Sequence, residues 1–404
     1  MRLCLSYGVS PPASEAHSKG DPLMGMKSEI RRLARMEESP YPFCSLYLNT
    51  KWDDEQQRER IRLFLKNQLK KVNDQMRDRE DWQKAFSTDQ ERIERYVEGL
   101  IRQVDDETTN GVALFCCGGT GTFLTYPSLV PFNNEFSISN LPRLQPLVRL
   151  SSQYQNTLAV MVETDSARFF GLSLEGMKAE SSIESYVPGR HDQGGWAQMR
   201  YQRHIEDHRD KHHKDVAERL TELFDSGQWR RVVLMGQERT VANFKAFLPE
   251  RIKQSITDVF SIDFSEERSK ILRRLFERLL QKEREKVTQE VQQLVERTPQ
   301  GGLATLGLLG VLEAAERKQI HTLYLLTSFS ERGGKCFRCQ TLTPLSTPQD
   351  PSPRCPICKE ETQGVDLAEE IIRGVLRQDG EVKWVDTSPA LKEHEGIGAS
   401  LRFR

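Results

Sequence analysis

Short apolar runs alternate with long, charged, periodic stretches along the chain. Phe43-Cys-Ser-Leu-Tyr-Leu48 stands behind Pro40 and Pro42 and reads as a strand. Trp52–Asp106 follows with Ile61, Phe64, Leu65, Leu69 and Val72 at helical spacing. A second set in it is Ile93, Tyr96, Val97, Leu100, Ile101 and Val104, so two or more amphipathic helices are expected. Gly111–Cys117 reads as a strand, and Gly118-Gly-Thr-Gly-Thr122 as a hairpin turn, since it lacks the Lys-Ser/Thr of a phosphate loop. Leu158–Val162 and Ala167–Leu172 predict two strands of one sheet, followed by a long polar helix from about Trp196 to Phe224. Arg231–Met235 predicts a buried strand, and a helix is expected near Val241–Ile252. Glu266–Arg297 predicts a long helix with an apolar stripe of Leu272, Leu275, Leu279, Val287, Val291 and Leu294, charged elsewhere and suited to joining domains. Beyond it come a helix at Leu306–Arg317 and a strand at His321–Leu326. A helix at Leu367–Leu376 and strands at Glu381–Val385 and Ile397–Phe403 close the chain.

This alternation predicts three α/β domains. The boundaries fall at a flexible tail of residues 1–25, an N-terminal domain 26–148, a central domain 149–297 and a C-terminal domain 298–404. The length agrees, because 404 residues at roughly 150 per domain give about 2.7. Charge narrows the functional classes. Lys and Arg total 58 against 59 Asp and Glu, a net charge of −1, which excludes a globally basic nucleic-acid binder and an acidic solvating chain. RNA contacts must therefore come from local patches. No apolar stretch approaches the ~18–20 residues of a membrane span. The opening MRLCLSYGVSPP is a poor signal peptide, so a cytoplasmic, membrane-free and DNA-free monomer is expected.

Four of the eight cysteines, Cys4, Cys44, Cys116 and Cys117, are scattered in apolar surroundings and read as small buried hydrophobes. The other four form Cys336-Phe-Arg-Cys339, fifteen residues, then Cys355-Pro-Ile-Cys358. Two such turns can aim four thiolates at one point, which predicts a zinc-ribbon insertion at 334–360 with one zinc per chain. With four thiolates no position stays open for water, so the zinc is expected to be structural.

The most informative segment is Gly189-Arg-His-Asp-Gln-Gly-Gly-Trp-Ala-Gln-Met-Arg-Tyr-Gln-Arg203. Its helix carries Arg200, Arg203, Arg209, Lys211 and Lys214. Five of the eight histidines, His191, His204, His208, His212 and His213, fall within the same 23 residues. Trp196 at the loop's end suits stacking on a base or ribose, and the cations suit phosphates. His204, His208 and His212 share a helix face by spacing, yet His204-Ile-Glu-Asp-His208 is not a zinc-protease motif, because Glu206 is one position late.

This segment resembles the class-1 peptide-chain release factors of archaea and eukaryotes. There, a Gly-Gly-Gln loop precedes an Arg-aromatic-x-Arg helix, and Gly194, Gly195, Arg200, Tyr201 and Arg203 stand in that register. Gly301-Gly302, the helix and strand to Leu326, the cysteine insertion and Gly396-Ile-Gly-Ala-Ser-Leu-Arg-Phe403 resemble the family's third domain. The resemblance covers about residues 150–404. Residues 30–145 share the Ser-Leu-Tyr-Leu-Asn-Thr strand of the bacterial branch, the bacterial archaeo-eukaryotic release factor family.

The resemblance implies a ribosome-binding translation factor that enters the A site and contacts rRNA and tRNA. Its interface would be Arg190, His191, Gln193, Gly194, Gly195, Trp196, Arg200, Tyr201 and Arg203, and elongation factor Tu or another translational GTPase would be a candidate partner. Trp196 stands where the family has Gln, which removes the side chain associated with peptidyl-tRNA hydrolysis. If any residues are catalytic, they are Gly194, Gly195 and Trp196, through backbone N–H groups. The Asn-Ile-Lys-Ser and Tyr-x-Cys-x-x-x-Phe stretches of stop-codon readers are absent from residues 30–145. Hibernation, protection or rescue independent of a stop codon is the expected task. The alternatives are a peptidyl-tRNA hydrolase working through the loop backbone, and a non-ribosomal RNA-binding or scaffold protein.

Overall fold

The structure is a computed structural model that describes residues 18–19, 25–52, 55–102, 109–174, 176–185, 196–227, 229–298, 302–345 and 354–403. Most of the expected tail, 1–17 and 20–24, lies outside these residues.

The N-terminal unit runs β1 (Ser18–Lys19), α1 (Met26–Ala34), β2 (Phe43–Asn49), α2 (Glu55–Gln75), α3 (Glu80–Arg102), β3 (Gly111–Cys117), β4 (Thr122–Ser128), β5 (Glu135–Ser139) and α4 (Gln145–Gln153). Its sheet has the order β1-β4-β3-β2-β5, with the β3–β4 hairpin closed by the Gly118–Thr120 turn. Strand alternation divides the side chains between two cores. Cys44, Leu46, Leu48, Leu114 and Cys116 face α2 and α3 in one cluster. Phe43, Tyr47, Ala113, Phe115 and Cys117 face α1 and α4 in the other.

The central unit comprises β6 (Thr157–Val162), β7 (Ser166–Ser173), β8 (Gly176–Glu184), α5 (Trp196–Asp225), β9 (Arg231–Met235), α6 (Glu238–Lys245), α7 (Glu250–Ser255), β10 (Ile256–Phe260) and α8 (Arg268–Arg297). The sheet order is β10-β9-β6-β7-β8. It is a three-layer sandwich. Leu158, Val160 and Val162 pack with Val216, Leu220 and Phe244 on one face. Ala159 and Met161 pack with Ile271, Leu275 and Leu279 of α8 on the other. The helix expected at 241–252 is two helices, because Pro249, at the N-cap of α7, starts a new one. The strand β10 that follows was not expected.

The C-terminal unit contains β11 (Ala304–Leu306), α9 (Leu308–Glu316), β12 (Ile320–Leu326), β13 (Arg332–Cys336), β14 (Leu342–Pro344), β15 (Thr362–Asp366), α10 (Leu367–Arg377), β16 (Glu381–Val385), α11 (Pro389–Lys392) and β17 (Ile397–Leu401). Strands β11-β17-β12-β16 form one sheet and β14-β13-β15 a small antiparallel ribbon. The fold class is three α/β units, the third interrupted by a cysteine ribbon.

The long helix α8 serves two cores. Its first half packs on the central sheet, and its second half, Val287, Val291 and Leu294, packs with the C-terminal unit. Between them, buried Glu283 pairs with Arg231 at the start of β9. The N-terminal and C-terminal units also share one continuous apolar cluster. Glu369 of α10 accepts the Leu144 and Gln145 amides at 2.7 and 3.0 Å, placing a carboxylate on the N-terminus of α4. Arg373 donates to the Pro142 carbonyl, and Arg377 donates to the Ala34 and Met36 carbonyls at 2.7 and 2.9 Å. Among the described residues, no helix is long and apolar enough to cross a membrane.

Candidate functional site

Two regions hold the chemistry expected from the sequence. The first is α5 with the loop before it. From His212 onward the helix is anchored: His212, His213, Val216, Ala217 and Leu220 are buried. Before His212 its surroundings change. Among residues 203–211 Ile205 is the buried one, while Arg203, His204 and Lys211 are exposed. At 1.5 Å per residue, the sixteen residues from His212 back to Trp196 extend roughly 24 Å. The helix is thus an arm with a buried root.

The other stem of the loop is tied to the same root. The Ser185 amide donates to the Asp165 carbonyl at 2.7 Å, and His212 Nδ1 meets Ser185 Oγ at 2.8 Å. Burial holds the His212 ring below the ordinary imidazole pKa, so it serves this contact neutral. His213 is lowered as well, by burial first and then by His212. Its ring lies 5.8 and 5.6 Å from the Phe244 and Phe247 rings, and neither of its nitrogens has a partner. The single histidine face expected from spacing is therefore divided. His204 and His208 point outward, whereas the next ring, His212, turns into the core. The reason is helical drift: each four-residue step advances 400°, and two steps carry a residue well around the axis.

The second region is the cysteine ribbon. Its two turns have the same backbone pattern. The Cys336 carbonyl accepts from the Gln340 amide, and the Cys355 carbonyl from the Lys359 amide, both at 3.0 Å. The Cys336 amide donates to Thr341 at 3.0 Å, and that of Cys355 to Glu360 at 2.9 Å. Gln340 and Lys359, each just past a second cysteine, both sit in the left-handed region at φ 62° and 63°. The four sulfurs lie within 4.8 Å of one another. Cys336–Cys358 is 3.3 Å, Cys339–Cys355 3.4 Å and Cys339–Cys358 3.6 Å. A tetrahedron of thiolates about 2.3 Å from one ion has edges of roughly 3.8 Å, so these residues fit a closed S4 shell. Hydrogen bonds from Thr341 and then Cys355 pull the Cys339 thiol down to about 6, whereas Cys358, despite the lowering bond from the Glu360 backbone, is pushed up to about 12 by burial and the other three sulfurs.

Residues 142–280, which include the loop and all of α5, match the family model of bacterial archaeo-eukaryotic release factor family 10. The peptide chain release factor subunit 1 of Thermoplasma acidophilum is 27% identical over 212 residues, 49% of this chain and 49% of that one. Its counterpart in Pyrococcus abyssi is 25% identical over 292 residues, covering 65% of this chain and 69% of that one. The chain spans about half the length of the first of these relatives. The crystal structure of the archaeal termination factor aRF1 aligns with 93% of this chain and 98% of its own, at 18% identity and a TM-score of 0.26.

Within the matched segment the expected interface residues fall into three groups. Arg190, His191, Gln193, Gly194 and Gly195 lie outside the described residues. Trp196, Arg200 and Tyr201 belong to the first turns of α5, with side chains outside the description. Arg203 is described and exposed. One group of donors escaped the sequence reading altogether. Cys44 and Cys116, partners across β2 and β3, lie with Asp89 of α3 so that their donor atoms are within 4.8 Å. All three are fully buried, Asp89 Oδ2 accepts the Gly118 amide, and burial lifts the carboxyl to about 6. Asp89 sits at a helical core position whose spacing gives no hint of two thiols on a pair of strands that flank α2 and α3 in the chain.

Proposed function

We propose that this chain is a ribosome-associated translation factor that enters the A site without reading a stop codon. It places the loop 190–196 at the peptidyl-transferase centre for hibernation, protection or rescue. The observation that carries this is the arm: a helix rooted at His212–Leu220, with Arg203, His204 and Lys211 exposed before the root, in release-factor register, inside the segment that matches the family model. The relatives' name, peptide chain release factor, supports translation as the process and the cytoplasm as its place. Trp196 replaces the Gln associated with hydrolysis, so the loop anchors and occludes rather than cleaves. Arg190, His191, Gln193, Gly194, Gly195, Trp196, Arg200, Tyr201 and Arg203 contact rRNA and tRNA in this reading, and a translational GTPase such as elongation factor Tu delivers it.

The cysteine ribbon holds one zinc ion through Cys336, Cys339, Cys355 and Cys358. Bound there, zinc supplies cross-linking alone, since the four thiolates close its shell. The ribbon then keeps Lys335 on Glu38 and Glu370, at 2.9 and 3.1 Å, which ties it to the body.

Sedimentation with 70S particles tests the reading. The wild type should cosediment at low salt. Arg200→Glu with Arg203→Glu should weaken binding and flatten its salt dependence, because each lost phosphate contact removes counterion release. An unchanged salt slope would move the interface elsewhere, and no cosedimentation would favour the non-ribosomal scaffold. Peptide release from loaded ribosomes by the wild type, as fast as by Trp196→Gln, would restore the hydrolase.

A further inference from the structure

His204 and His208 stand one turn apart on the outer half of α5, and their Nε2 atoms approach to 3.2 Å with ring planes at 83°. Around an ion with nitrogen ligands at 2.0–2.1 Å, neighbouring donors of a tetrahedral or octahedral shell lie roughly 2.9–3.4 Å apart. The two imidazole nitrogens already stand at that separation. We propose that His204 and His208 form a two-imidazole chelate for a borderline divalent transition-metal ion, of the zinc, nickel or copper(II) class.

In the metal-free chain one ring donates an N–H to the other's lone pair. When the ion enters, the donor ring carries its proton on Nδ1 instead and both Nε2 lone pairs turn to the metal. Access is open, because His204 is exposed and His208 half-buried. The charges on the same turns are mixed: Glu206, Asp207 and Asp210 stand among Arg203, Arg209 and Lys211, so no single-sign field repels a cation. The chelate stops at two rings, since His212 is buried and engaged by Ser185. The remaining coordination positions face solvent and take water or an anionic oxygen. This site differs in ligand chemistry from the ribbon, and it stands whether or not the chain binds ribosomes.

The test is nickel titration of the full chain at neutral pH, with the ribbon loaded beforehand with zinc, read by calorimetry. One saturable nickel ion per chain is expected. His204→Ala and His208→Ala should each weaken it by roughly tenfold or more, and the double variant no further, because a chelate loses its intramolecular second contact with either ring. Zinc content and circular dichroism should be unchanged, as both rings lie on the outer surface of the arm. Two single variants with small, additive losses would mean independent imidazoles and overturn the chelate. Nickel binding indifferent to both substitutions, or none in the wild type, would overturn it as well.

Discussion

The ribbon and the arm were both announced by short spaced motifs, but the fold completes them to different degrees. In the ribbon the cysteines answer one another: four sulfurs converge within 4.8 Å on two matching turns. In the arm, the structure supplies only the support of the residues expected to act: the root at His212–Leu220 and the Ser185 stem. A motif whose partners lie in the same chain is completed by folding. One whose partner is another molecule is only held ready by it.

The largest expected effect separates the two regions most sharply. Chelation, or Cys355→Ser, should remove the zinc and unfold the ribbon, since structural zinc binding is worth ~10–16 kcal/mol in zinc-finger peptides. Hydrogen exchange should then rise across residues 332–366 while the β6–β9 core stays protected. Equal loosening of α5 would show that the two regions are one cooperative unit. The next test concerns the arm's outer end. Trp196→Ala should cost ~1–3 kcal/mol of ribosome affinity, the worth of one aromatic–base stack, or about five- to 150-fold in a binding titration. Fold and zinc content should be unaffected. Unchanged affinity would mean that the indole packs on its own unit.

The root of the arm answers to pH. His213 is neutral in the fold and its pKa lies below the unfolded value of about 6.5, so its contribution is intact above that pH. As pH falls below about 6.5, the unfolded chain gains a proton the folded one refuses, and stability drops. Asp210 opposes this effect while His212 and Arg209 reinforce it. His213→Phe should flatten the acid loss and stabilise the chain by about 1–2 kcal/mol, because two unpartnered nitrogens disappear between Phe244 and Phe247. Urea melts at pH 5.5 and 7.5 would measure both. Destabilisation at both pH values would mean that the imidazole has an unrecognised partner. The smallest effect belongs to the ribbon turns: Gln340→Gly or Lys359→Gly should gain up to about 1 kcal/mol, since each position has positive φ. Lower zinc affinity in either variant would show that these side chains brace the turn.

Much of the secondary structure was legible. The strand Gly111–Cys117 matches residue for residue, and α5, α8 and α10 begin and end within two residues of their periodic patterns. The omissions have physical causes. The pattern of β5, Glu-Phe-Ser-Ile-Ser, is half polar and only half buried, so its apolar signal is weak. The helix α1 does carry Met26, Ile30, Leu33 and Ala34 on one face, a readable stripe hidden beside the Ser-, Pro- and Gly-rich start. Of the candidate sites, the cysteine set was fully legible because its ligands are local. The Cys44–Asp89–Cys116 group was not, because α3 and the β2–β3 pair meet only in three dimensions.

The sequence by itself determined which positions turn inward, where the cysteine turns lie and which helix carries the loop, since these follow from spacing of 2, 3.6 or a fixed Cys-x-x-Cys gap. Tertiary structure decided what covers each inward face. Burial is favourable against any apolar surface and carries no address. Periodicity could therefore not foretell that α4 is capped by Glu369, 225 residues beyond Leu144, or that the two ends of the chain share a core. Nor could it foretell that the inward ring of the histidine series would meet Ser185 and hold the loop's stem.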